Sequence, residues 1–137
     1  MADISAIRAR QNVYSDLDFR FIANPNTRDL ALKYDVESVK QSVINILLTS
    51  AGERPFNPKF GGGLNGYLFD NFDGITAAAM ENTIVNTLRN WEPRVRVDKV
   101  DITDLSHRNA LRVSLEITIL SPEERTDIVE FVVERLR

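Results

Sequence analysis

Gly52-Glu53-Arg54-Pro55-Phe56-Asn57-Pro58-Lys59-Phe60-Gly61-Gly62-Gly63-Leu64 is the stretch that divides the chain. It holds two of the five prolines and four of the six glycines. No regular helix or strand tolerates that density of both. It reads as a shaped loop, with Phe56, Phe60 and Leu64 as its expected apolar anchors. The glycines lack the Gly-Lys-Ser/Thr ending of a phosphate loop, and no strand leads into them. They are read as a backbone hinge that lets Phe60 and Leu64 dock together. A shaped, part-buried loop between patterned segments is where function concentrates.

Working outward, the segment before the loop is helical. Asp35 is a candidate N-cap, and Glu37 sits in the first turn, where the helix dipole favours it. Val36, Val39, Val43, Ile46 and Leu47 form one helical stripe. The helix should end near Ser50, with Gly52 as a left-handed cap and Pro55 preventing continuation. After the loop, Leu64 to Phe69 reads as a short helical turn that brings Leu64 and Leu68 to one face. A second helix should start between Asp73 and Thr76 and run to Trp91. Ala77, Met80, Ile84, Leu88 and Trp91 mark its buried stripe, with Asn82, Asn86 and Asn90 off it. Pro93 stops it, because the residue before a proline avoids the α region.

Further out, alternation replaces the helical period. Val95 and Val97 alternate with charged residues, then Val100 and Ile102 continue on the opposite parity, which predicts a bulge near Asp98–Lys99. Ser106-His107-Arg108-Asn109 is the connecting turn. Leu111, Val113, Leu115, Ile117 and Ile119 form the cleanest strand, with one apolar face. Ser121-Pro122-Glu123-Glu124 turns the chain again. Val129, Phe131 and Val133 fit a strand, whereas Ile128, Val132 and Leu136 fit a helix; β-branched density favours a terminal strand. At the other end, Tyr14 to Ile22 alternates as a half-buried strand, Asn24-Pro25-Asn26-Thr27 turns, and Leu30 and Leu32 return, giving a hairpin. Residues 1–13 form an arm, and residues 14–137 a single domain. The fold class is α+β: a small antiparallel β-sheet packed against two main helices.

Composition narrows the chemistry. Apolar residues make up 43% and charged residues 27% of the 137, ordinary for a globular domain. A net charge of −3 argues against nucleic-acid binding. There is no cysteine and a single histidine, His107, so the usual thiolate and multi-histidine metal sites are excluded, and no cofactor is expected. No apolar run approaches the roughly 18 to 20 residues needed to span a bilayer, and the N-terminus lacks signal-peptide blocks. The expectation is a chain made in a cytosol, or assembled there into something larger. Glu53, Asp70 and Glu92 are the carboxylates to test for a glycosidase pair. For each of them a salt bridge or cap is the plainer reading. Glu92-Pro93-Arg94 is a charged pair straddling a proline at a helix end.

The series Tyr14-Ser15-Asp16-Leu17-Asp18, Asn24-Pro25, Val39-Lys40-Gln41-Ser42-Val43, Gly52-Glu53-Arg54-Pro55-Phe56-Asn57-Pro58-Lys59-Phe60-Gly61, Leu68-Phe69 and Glu92-Pro93-Arg94 resembles the baseplate wedge proteins of contractile-tailed bacteriophages. These are also called sheath initiators and sometimes labelled lysozyme-like. Relatives occur in tailocins and type VI secretion baseplates. The resemblance runs from Tyr14 onward. It implies a non-enzymatic virion component of the tail baseplate, assembled in the host cytoplasm in several copies with sixfold symmetry. Glu92, Pro93 and Arg94 would dock onto the helical core bundle of the wedge proteins. Gly52, Glu53, Arg54, Pro55, Phe56, Pro58, Phe60 and Gly61 would form a structural loop. The fold would be similar to the strand-exchanging domain of tail sheath proteins. The strands carrying Leu111, Val113, Leu115, Ile117, Ile119, Val129, Phe131 and Val133 would then face the sheath and template its first ring by strand addition. Tube and spike proteins are further implied neighbours; no nucleic acid or membrane is. On this reading Arg94→Glu should leave the domain folded while removing it from baseplates. A peptidoglycan hydrolase remains the rival, and a type VI baseplate the alternative setting.

Overall fold

The computed structural model describes residues 14–121 and 124–134. The elements are β1 (Ser15–Leu17), β2 (Leu32–Tyr34), α1 (Asp35–Leu48), a 3-10 turn (Leu64–Phe69), α2 (Gly74–Trp91), β3 (Val95–Leu105), a 3-10 turn (Ser106–Arg108), β4 (Ala110–Ile119) and β5 (Arg125–Glu134). Two compact units divide at Ser38 and Val39. The arm proposed for residues 1–13 and the Pro122-Glu123 tip of the last turn lie outside the described residues.

In the second unit, β3, β4 and β5 form an antiparallel sheet with β4 in the centre. The alternation in β4 buries Leu111, Val113, Leu115, Ile117 and Ile119, while Val129 and Val133 of β5 and Val95 of β3 join them. The β3–β4 register shifts between Val97 and Lys99, the bulge expected from the parity change. Its extra residue is Asp98. The Asp98 carboxylate accepts from Thr118 Oγ1 on β4 and from Arg96 Nε, so the unpaired residue is held by its own side chain. The ambiguous terminal segment is a strand, as its β-branched density suggested, paired with β4 from Arg125 to Glu134.

Both helices bury most of their predicted stripes, with Val36, Ala77 and Trp91 half-buried. Val39, Val43, Ile46 and Leu47 of α1 are buried, as are Met80, Ile84 and Leu88 of α2. Asp73 caps α2 by accepting from Thr76 N at 2.8 Å, which leaves its carboxyl below the usual range because the backbone donor favours the ionised form. Helix α2 lies along β3. Lys40 of α1 pairs with Asp127 of β5 at 3.0 Å.

The first unit holds the hairpin, but its first strand is much shorter than the alternation implied. Only Ser15–Leu17 pairs with Leu32–Tyr34. Past Leu17 the chain turns: Phe21 N donates to Asp18 O at 2.9 Å, and Phe21 takes φ 52°. The cause is local. The Asp18 carboxylate accepts from Arg20 N at 2.9 Å and from the Arg20 guanidinium at 2.8 Å, a side-chain alternative that competes with the ladder. These bonds from Arg20 lower the Asp18 carboxyl to about 2. Pairing resumes at a single bridge, Ala23 to Leu30. Phe19 and Phe21 are therefore not on the half-buried face of a strand. With Leu17, Ile22, Leu30, Leu32 and Tyr34 they are 41–65% exposed.

Candidate interaction site

The Glu-Pro-Arg segment begins where α2 ends. Glu92 N donates to Leu88 O at 2.8 Å and Val95 N to Glu92 O at 3.1 Å, which turns the chain within three residues. Leu120 N donates to Arg94 O at 2.8 Å. The motif is thus fastened to the helix on one side and to the sheet on the other. Pro93 stands exposed at the apex.

Across that apex Glu92 and Arg94 meet. Arg94 Nε donates to Glu92 Oε1 and Arg94 Nη2 to Oε2, both at 2.6 Å. Ser42 Oγ of α1 donates to the same Oε2 at 2.6 Å. Glu92 is 3% exposed, whereas the Arg94 side chain is 34% exposed. Burial pushes the Glu92 carboxyl up, but the bonds from Arg94 and Ser42 outweigh it and hold the group below its ordinary value. A depressed folded-state value means stability present above the ordinary value near 4.5 and lost as pH falls through the folded one. Melting temperature followed from pH 6 to pH 2 should fall in this acid window. The fall should be shallower in Glu92→Gln.

The loop packs beside this clamp. Its glycines do not act mainly as a hinge; they lie against the C-terminal end of α1. Gly62 N donates to Ile46 O and Gly63 N to Thr49 O, both at 3.0 Å. These bonds satisfy carbonyls that a helix end leaves without partners. A Cβ on Gly61 would stand 2.2 Å from Thr49 O, and Gly61 takes φ +110°. Gly52, at φ +85°, donates to Pro58 O at 2.8 Å and closes the loop base. Glu53 Oε2 accepts from Ser50 N at 2.8 Å. The Arg54 guanidinium stacks over Phe60 at 4.0 Å, and Phe60 meets Trp91 edge-on at 5.2 Å between centroids. Trp91 directly precedes Glu92, so this stack joins loop and clamp. Leu64 is fully buried, as expected of an anchor, but Phe56 is not an anchor of this domain. It is fully exposed, at 102% of its reference area. The turn closed by Asn57 N and Arg54 O at 3.2 Å aims it outward. Pro55 and Pro58 stiffen the exposed tip.

The strand residues expected to face the sheath carry a correction. Leu111, Val113, Leu115, Ile117, Ile119, Val129 and Val133 are buried core, and Phe131 is half-buried. Strand β4 is also paired on both sides along its length, so its backbone has no edge to offer. The free edges of the described sheet are β3 and β5. On β5, Ile128 and Val132 are exposed.

Two of the three carboxylates considered for hydrolysis are engaged in other contacts. Glu92 is ion-paired and held low, the reverse of a general acid. Glu53 caps a turn, and Asp70 is exposed at the end of the 3-10 turn. Among the described residues no group of histidine, cysteine and carboxylate side chains could hold a metal ion, and no helix is long and apolar enough to cross a membrane. Sequence reasoning missed Ser42, the third member of the clamp. Its one signal was a hydroxyl beside Val43 on the apolar stripe.

Known proteins are similar to this chain. The family described as baseplate wedge protein gp25 matches residues 33–124, which include both loop and clamp. The baseplate wedge protein gp25 of Enterobacteria phage T4 is 32% identical over 108 residues, covering 79% of this chain and 81% of that protein. A chain in the cryo-EM structure of the anti-feeding prophage baseplate, sixfold symmetrised, superposes with a TM-score of 0.69 at 27% identity, covering 79% of this chain and 86% of that one. A crystal structure of a putative tail lysozyme from Geobacter sulfurreducens gives 0.59 at 26% identity, covering 72% of this chain and 91% of that one. By the family match and the phage relative alike, the chain belongs to the baseplate wedge protein gp25 family.

Proposed function

We propose that this chain is a structural, non-enzymatic subunit of a contractile-tail baseplate, docking on its wedge partners through Glu92-Pro93-Arg94. The observation that carries this reading is the clamp, in a chain of the wedge family. The buried Glu92 carboxylate, itself held by the half-buried Ser42 hydroxyl, fixes Arg94 in one geometry while part of the arginine side chain reaches solvent. A preorganised guanidinium suits charge-assisted bonding to a partner carboxylate or carbonyl. Pro93 and Arg94 supply the contact surface. Glu92 acts through Arg94 rather than on the partner.

The exposed apolar side chains of the hairpin in the first unit support an assembly role, because so many large apolar groups left in water on one short segment suit a contact that covers them. The 14–32 part of it precedes the segment matched by the family.

Sheath templating is proposed for the edge strand β5, which pairs with β4 alone among the described strands and could take an added strand on its other side. A proline in β5, at a position whose amide points out of the sheet, should leave the far-ultraviolet circular dichroism intact and reduce sheathed particles at least tenfold. A proline within β4 should unfold the domain. Sheath assembly at the normal level on the β5 variant would remove the templating role.

The decisive test of the docking reading is the double variant Glu92→Gln/Arg94→Met in a strain lacking the wild-type chain. It removes the exposed charge without leaving a buried one unpaired. It should fold, enter baseplates poorly and yield sheathless tails by negative-stain electron microscopy. Normal sheathed tails that fail only at wall penetration would overturn the reading and favour the hydrolase.

A further inference from the structure

The docking surface has a second element that the Glu-Pro-Arg motif does not include. We infer that Phe56, at the tip of the 52–60 loop, is an anchor that enters an apolar pocket on a partner protein surface rimmed by carboxylates. This rests on the docking reading above and deepens it. One exposed aromatic on a surface is ordinary. Three observations set Phe56 apart.

The first is rigidity. The tip is closed by Gly52 N to Pro58 O, Glu53 N to Ser50 O, Asn57 N to Arg54 O and Phe60 N to Asn57 O. Its base is fixed by the Arg54–Phe60–Trp91 stack. A loop backbone already held in place loses little entropy when its tip residue is bound, and this preorganisation favours an aromatic hot spot. The second is exposure without a fold role: at 102% of its reference area Phe56 is the most exposed large apolar side chain among the described residues. The third is charge. The chain carries −3 overall, yet Arg54 and Lys59 flank Phe56, and the Phe60–Trp91 contact joins the loop to the residue just before Glu92-Pro93-Arg94. Glu92 is buried and paired with Arg94 and Ser42; Glu53, although exposed, is tied back to Ser50 N and is outnumbered by the three cations Arg54, Lys59 and Arg94. An apolar tip in a basic surround on an acidic chain complements an apolar pocket with an acidic rim.

The test compares Phe56→Ala, Phe56→Leu and Glu92→Gln/Arg94→Met, each supplied in full length to a strain lacking the wild-type chain. The readout is copies of the chain per purified particle. Truncating a hot spot weakens association by about 30-fold, so Phe56→Ala should lower incorporation at least tenfold, and Phe56→Leu should stay within about threefold of wild type. Circular dichroism and the emission of Trp91, the sole tryptophan, should match wild type in the purified Phe56→Ala chain, because Phe56 supports nothing inside the domain. Wild-type incorporation of Phe56→Ala overturns the anchor, whatever the double variant does. Loss with Phe56→Ala and normal incorporation of the double variant would keep the anchor and remove the Arg94 docking role. Retention of the purified chain by a double-stranded DNA fragment at physiological salt, abolished by Phe56→Ala, would overturn the protein partner in favour of nucleic acid.

Discussion

Gly61→Ala is expected to lower the melting temperature by roughly 10 °C or more. Two costs act together. Residue 61 holds φ +110°, a conformation that a side chain resists, and the added Cβ would lie 2.2 Å from the Thr49 carbonyl oxygen. Backbone strain of this kind costs about 1–3 kcal/mol, and forced overpacking adds about 1–3 kcal/mol. Relief requires the loop to lift from α1, which breaks the Gly62–Ile46 and Gly63–Thr49 bonds. The control is Gly66→Ala, where a Cβ meets nothing within 4 Å; its effect should stay within about 0.5 kcal/mol. Thermal melts of both variants check this. Equal melting temperatures would mean that the triple glycine does not bear on helix α1 as described.

Arg94→Ala is expected to destabilise the domain by about 2–3 kcal/mol, and Arg94→Glu by more. Removing one partner of a buried ion pair typically costs about 3–5 kcal/mol, because the remaining charge is left without compensation. The partial exposure of Arg94 discounts that range. In Arg94→Glu a second carboxylate would face Glu92, which Ser42 alone would then hold. Arg94→Glu is therefore expected to weaken the fold as well as any docking, so its absence from baseplates would not isolate a docking defect. Glu92→Gln/Arg94→Met should return to within about 1 kcal/mol of wild type, since a neutral replacement of a buried pair carries no unpaired charge. Urea unfolding of the three variants reads these differences. If Arg94→Glu were as stable as wild type, the clamp would not exist in solution.

Much of this arrangement was legible in the residues because it rests on short-range patterns. The stripes in Val39–Leu47 and Met80–Leu88, the helix start near Asp73, the alternation in Leu111–Ile119 and the parity break at Asp98 are set by neighbours a few positions apart. Those periods belong to the backbone geometry of helix and strand. The first strand failed for an equally local reason. Leu17, Phe19 and Phe21 alternate, yet the Asp18–Arg20 bonds turn the chain before the ladder can continue.

What the sequence by itself determined is the order and type of the elements, the loop between the helices and the family signature it shares with Glu92-Pro93-Arg94. Only the tertiary structure decided which groups meet. It set Ser42 against Glu92, fifty positions away, placed Gly61 against Thr49, paired both backbone edges of β4 and left Phe56 in solvent. Periodicity marks which residues share a face, but not what that face touches. A phenylalanine in a loop has the same sequence signature whether it anchors its own domain or reaches for another. The difference is the position of the loop tip relative to the core, and packing between distant segments fixes that position.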